Sequence, residues 1–116
     1  MPGWVRLLAT VVIVGAPCGA AAAELQIANS SGSAIRELYV AAIGERSWGV
    51  DRLRMKQPSV IARGEMHTVT DLAPGSYQVM MVDDQGSECE IDFVDISSTY
   101  RIDLTSRRLQ ECTSSH

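Results

Sequence analysis

Apolar and polar residues alternate with a period of two through almost the whole chain beyond residue 24, turn residues recur along it, and two cysteines stand far apart in that stretch. Together these predict an all-β protein: a small antiparallel β-sandwich or open barrel of about seven strands, held by one disulfide. A period of two sends successive side chains to opposite faces of a sheet, so one face is buried and the other is wet. No stretch keeps the 3.6-residue helical period for more than a turn or two.

The first 23 residues stand apart from this pattern. Arg6 precedes an apolar run over 7–16, Pro17 breaks it, and Ala21-Ala22-Ala23 supplies the small-x-small site that signal peptidase requires. The run is shorter than the about 20 apolar residues that a bilayer-spanning helix needs. The expected organisation is therefore a cleaved signal peptide over 1–23 and a single β-sandwich domain over 24–116, periplasmic or secreted. Cys18 is preceded by Pro17, with Gly15 three before it, which is a poor lipid-attachment pattern, so this cysteine is expected to leave with the leader.

A first strand carries Leu25 and Ile27 on one side and stops at Asn29-Ser30-Ser31-Gly32. Leu38, Val40 and Ala42 share a face of the second strand, with Tyr39 opposite. Val60-Ile61, the Arg63-Gly64 turn and a strand over 66–70 follow; Pro74-Gly75 then turns the chain into a strand over 77–82. Asp83-Asp84-Gln85-Gly86 makes a hairpin turn. Beyond it Cys89, Ile91 and Phe93 are expected to face inward. The apolar phase then slips by one to Val94 and Ile96, which predicts a β-bulge or strand end near 92–95. A last strand over 100–104 precedes an Arg107-Arg108 tail that returns Cys112 to Cys89. In an oxidising compartment these two cysteines form a structural disulfide; a redox pair would sit closer in sequence.

Several stretches carry a resemblance. At Asn29-Ser30-Ser31-Gly32-Ser33-Ala34-Ile35, Leu38-Tyr39-Val40-Ala41 and Ser47-Trp48-Gly49-Val50-Asp51-Arg52-Leu53 the chain resembles a family of small exported bacterial proteins of unknown function, with Ala41 and Arg52 in place of the usual Ser and Leu. The match covers about residues 27–53, and it implies the fold and the exported location but no chemistry.

The whole chain has ten basic and 14 acidic residues, and without Arg6 nine basic residues face the same 14, a formal charge of −5. That balance argues against nucleic acid as a partner. Charge is also split along the chain. Arg46, Arg52, Arg54, Lys56 and Arg63 face only Glu45 and Asp51, whereas eight acidic residues between Asp71 and Asp103 face Arg101 alone. Such a division can steer association with an acidic surface or permit head-to-tail self-association.

No catalytic set is present. His67 and His116 are the two histidines, and neither a Gly-x-Ser-x-Gly nor a His-Glu-x-x-His pattern occurs, so an enzyme is not expected and no cofactor is called for. A calcium site could draw on Asp83, Asp84, Glu88, Asp92 and Asp95, although these also alternate as an ordinary wet strand face. A soft metal site over Met55, Met66, His67, Met80 and Met81 is disfavoured because Met80 and Met81 point to opposite faces. The long loop over 44–58 is the best contact surface. There Trp48 either folds back over the core or is presented with Arg46, Arg52 and Arg54 to a partner, while Asp51 ties the loop by hydrogen bonds. The expected function is a non-enzymatic binding or accessory module for a protein or cell-envelope component, with a periplasmic small-ligand or calcium-binding protein as the alternative.

Overall fold

A computed structural model describes residues 22–114, so most of the expected signal peptide lies outside the described residues. Among the described residues six strands run in order: β1 (Ala23–Ser30), β2 (Ile35–Ala42), β3 (Met66–Leu72), β4 (Gly75–Asp83), β5 (Glu88–Ile96) and β6 (Thr99–Thr105); a helix α1 (Ser106–Ser114) follows. They form two three-stranded sheets, ordered β3-β1-β6 and β2-β4-β5. Leu25, Ile27, Val69, Ile102 and Leu104 from the first sheet meet Leu38, Val40, Val79, Met81 and Val94 from the second in one buried cluster. Burying each such side chain contributes about 1.5–3 kcal/mol, which is what holds two small sheets together.

The expected β-sandwich with its disulfide is present, with four differences of detail. Val60-Ile61 is not a strand, because Pro58 and the Arg63-Gly64 turn leave no length for a ladder, and Ile61 makes only an isolated bridge to Ile35. The pairing is antiparallel except between β1 and β6, which run parallel from Glu24↔Thr99 to Ser30↔Thr105. The chain leaves β5 for the other sheet instead of returning beside it. Ala23 is buried at the start of β1, and the Glu24 backbone N–H donates to the Ser98 carbonyl at 2.7 Å.

Phe93 does not face inward. The β4–β5 register passes from Tyr77↔Val94 to Val79↔Ile91, so Asp92 and Phe93 together oppose Gln78 as a bulge inside the expected 92–95 interval. Phe93 takes a positive φ of 61° and is 73% exposed. Beyond the bulge Val94 and Ile96 are buried, which accounts for the phase slip. Gly86 has a φ of 85° in the preceding turn, a conformation that favours glycine.

The tail after β6 is helical. Thr105 caps it, its Oγ1 accepting from the Arg108 backbone N–H at 3.1 Å, and Leu109 and Cys112 follow on one face at a spacing of three. Leu109 is buried in the core cluster and Cys112 packs against it. The Cys89–Cys112 disulfide then ties α1 to β5, with a Cα–Cα distance of 5.1 Å across a separation of 23 residues. Closing a loop of that length restricts the unfolded chain by about 3 kcal/mol. Replacing both cysteines by serine is therefore expected to lower unfolding free energy by about 2–4 kcal/mol in urea titration, with β-rich circular dichroism retained below the lowered midpoint.

Candidate functional site

The connection over 43–65 leaves the end of β2, runs back along its free edge and is pegged at two points. Asp51 makes the first peg: its Oδ1 accepts from the backbone N–H of Leu38 at 3.0 Å and of Leu53 at 2.9 Å. The Arg52 N–H donates to the Leu38 carbonyl at 2.7 Å, so this stretch occupies backbone groups that an edge strand would otherwise expose. Leu53, between two arginines, is fully buried in the core. Ile61 is the second peg, buried and paired to Ile35. The expected role of Asp51 as the tie of the loop is thus met, and Leu53 is a peg that sequence periodicity had no means to reveal.

Between the pegs the polar ends are partly tied. Lys56 Nζ lies 2.8 Å from Glu65 Oε2, and Glu65 Oε1 accepts from the Ala62 N–H at 2.8 Å. The Lys56 ammonium and then that N–H hold the Glu65 carboxyl below its ordinary range. His67 shares the inner face of β3 with Val69, and burial, reinforced by Lys56, lowers its pKa. It is half-buried at the rim of the core.

Arg46, Arg52 and Arg54 are exposed and Trp48 is half-buried. None of the three arginines has an ion pair among the described residues, in contrast to Lys56. Trp48 stands outside the core cluster, and its indole N–H makes no hydrogen bond among the described residues. Gly49 beside it has a φ of 78° and donates its N–H to Ser47 Oγ at 3.0 Å, a tight local turn that carries the indole. The four residues thus belong to one loop, with Arg52 and Arg54 flanking its buried peg; no hydrogen bond joins their side chains.

The acidic hairpin is arranged differently. Asp83 is buried, and its Oδ1 accepts from the N–H groups of Gln85 and Ser87, both at 2.9 Å, which fixes the turn. Among the described residues no three His, Cys, Asp or Glu side chains gather as a metal site. A shallow depression of about 360 Å³ lies beside Asp83, lined also by Gly32, Ser33, Ser106, Leu109 and Gln110. There Ser106 Oγ accepts from the Gly32 N–H at 2.9 Å, so the start of α1 is bound to the β1–β2 turn. Among the described residues no helix is long and apolar enough to cross a membrane.

No known protein-family profile matches the chain, and no curated protein matches it. The chain is similar to the NMR structure of a protein from Eubacterium rectale, with a TM-score of 0.54 and 13% identity over 78% of this chain and 84% of that one. At that identity the likeness extends to the fold alone.

Proposed function

We propose that this is an exported, non-enzymatic binding or accessory module that presents the loop bearing Trp48, Arg46, Arg52 and Arg54 to a protein or cell-envelope component. The observation that carries the reading is the contrast within one loop: Leu53 anchors it in the core, while Trp48 lies outside the core cluster and the three arginines have no ion pairs among the described residues. Tryptophan, tyrosine and arginine are enriched among the few side chains that carry most interface binding energy, and a loop pegged to the fold beside them presents them at reduced entropic cost. The leader-like composition of 1–23 and the disulfide support a periplasmic or secreted location.

Trp48→Ala separates this role from a structural one. The expected result is a urea midpoint almost unchanged from wild type, together with weaker capture of the partner from envelope extract, and the same for the Arg46→Ala, Arg52→Ala, Arg54→Ala triple variant. A loss of about 3–5 kcal/mol in Trp48→Ala, as for a buried aromatic, overturns the proposal.

A further inference from the structure

The β2-β4-β5 sheet has a second face that the core does not use. Leu38, Met81 and Cys89 pair in one row and are all fully buried in the core. Strand alternation therefore turns the adjacent rows outward: Glu37↔Val82↔Glu88 on one side and Tyr39↔Met80↔Glu90 on the other. The next outward row is Ala41↔Gln78, opposite the Phe93 bulge. Val82 and Ala41 are only 6% and 7% exposed yet stand outside the core cluster, while Tyr39 and Met80 are half-buried. The apolar surface this face offers to a partner is thus Tyr39 beside Met80, with Val82 and Ala41 already covered in the adjacent rows.

Its rim is acidic and largely unpaired. Arg36 lies 3.8 Å from Glu37, but Glu88 and Glu90 have no ion pair among the described residues. The Tyr39 hydroxyl donates to Glu37 Oε1 at 2.7 Å, which fixes the ring over the sheet. That bond, with burial and the carboxylates of Glu37 and Asp51, pushes the Tyr39 pKa up to about 12, so the phenol stays neutral.

An apolar centre with an acidic rim is the chemical complement of a loop that carries one tryptophan among unpaired arginines. Within one chain none of Arg46, Arg52 and Arg54 forms an ion pair with Glu88 or Glu90 among the described residues. The loop is bonded along the outer edge of β2, whereas Glu88 and Glu90 lie on β5 at the opposite edge, two strand spacings of about 4.8 Å beyond β2. We infer that the partner is a second copy of this chain: the Trp48 loop of one copy docks on the outward face of β2-β4-β5 of the next, with the indole on Tyr39 and Met80 and the arginines toward Glu88 and Glu90. This inference rests on the reading of the loop as a contact surface and names its occupant.

The test is the mass of the purified protein by sedimentation equilibrium at 50 mM and 500 mM salt. Wild type is expected to exceed the monomer mass at low salt and to approach it at high salt, because exposed charge pairs are screened. Arg52→Glu with Arg54→Glu, and Glu88→Arg with Glu90→Arg, should each weaken self-association at least about tenfold; an equimolar mixture of the two variants should restore it. All four positions are outside the core cluster, and urea midpoints check that the variants remain folded. Wild type that is monomeric at both salts, or variants that fail to complement, overturns the inference. A monomeric wild type in which Trp48→Ala keeps its midpoint removes only the self-pairing, whereas a collapsed midpoint removes the contact loop as well.

Discussion

Asn29→Asp is expected to destabilise the protein by about 3–5 kcal/mol at neutral pH, although it changes a single NH₂ to oxygen. Asn29 is 1% exposed. Its Nδ2 donates to the carbonyls of Ser33 at 2.9 Å, Ile61 at 3.0 Å and Ala62 at 3.3 Å. Its Oδ1 accepts from the Ser31 N–H at 3.1 Å and the Ser31 hydroxyl at 2.6 Å. One amide thereby joins the end of β1 to the β1–β2 turn and to the second peg of the long loop. An aspartate would aim a buried negative charge at three carbonyl oxygens. Its pKa in the folded state would rise above the unfolded value of about 3.9, so the penalty is full above the raised pKa and fades as pH falls through it. Urea titrations at pH 7 and pH 4.5 should show the deficit narrowing in acid; Asn29→Ala, which adds no charge, should cost about 1–3 kcal/mol at both. A wild-type midpoint for Asn29→Asp at pH 7 would falsify this account of the hub.

Leu53→Ala is the second large effect, a loss of about 2–5 kcal/mol from a side chain in the middle of an otherwise exposed basic loop. Leu53 is fully buried, and its N–H and that of Leu38 share the Asp51 carboxylate. Removing the side chain leaves a cavity under β2 and frees the segment that covers its edge. Amide hydrogen exchange at Leu38 and Arg52 should therefore rise together with the loss of stability. If the midpoint fell by less than about 1 kcal/mol, Leu53 would not be the anchor, and the loop would have to be held from elsewhere.

Much of this architecture is legible in the sequence because most strands bury one side. Leu25 and Ile27, Val79 and Met81, and Ile102 and Leu104 keep the period of two and are buried as it requires. What escapes is whatever the period does not encode. Phe93 reads as core by composition, and only the inserted bulge residue turns it outward. Leu53 is a lone apolar residue between arginines, with no neighbour of matching phase. The final helix has just Leu109 and Cys112 to mark its face, and its cap, Thr105, doubles as the last residue of β6. Strand partners are equally silent, since alternation fixes a face and not a neighbour. For the same reason the basic loop could be picked out from residues alone, while the face made by Tyr39, Met80 and Glu90 required knowing that three separate strands lie side by side.

The parallel pairing of β1 with β6 also bears on the order of events as the chain is made. β1 holds the central place in its sheet, between β3 and β6, yet its partner on one side begins at Thr99. The β3-β1-β6 sheet therefore lacks one of its strands until residues 99–105 have been synthesised, and the helix and disulfide that seal the core come later still. Contacts between segments far apart in sequence are slow to form, because a long loop must close before any of them is gained. A nascent chain of this topology stays open and threadable until β6 and α1 have both emerged to close the core.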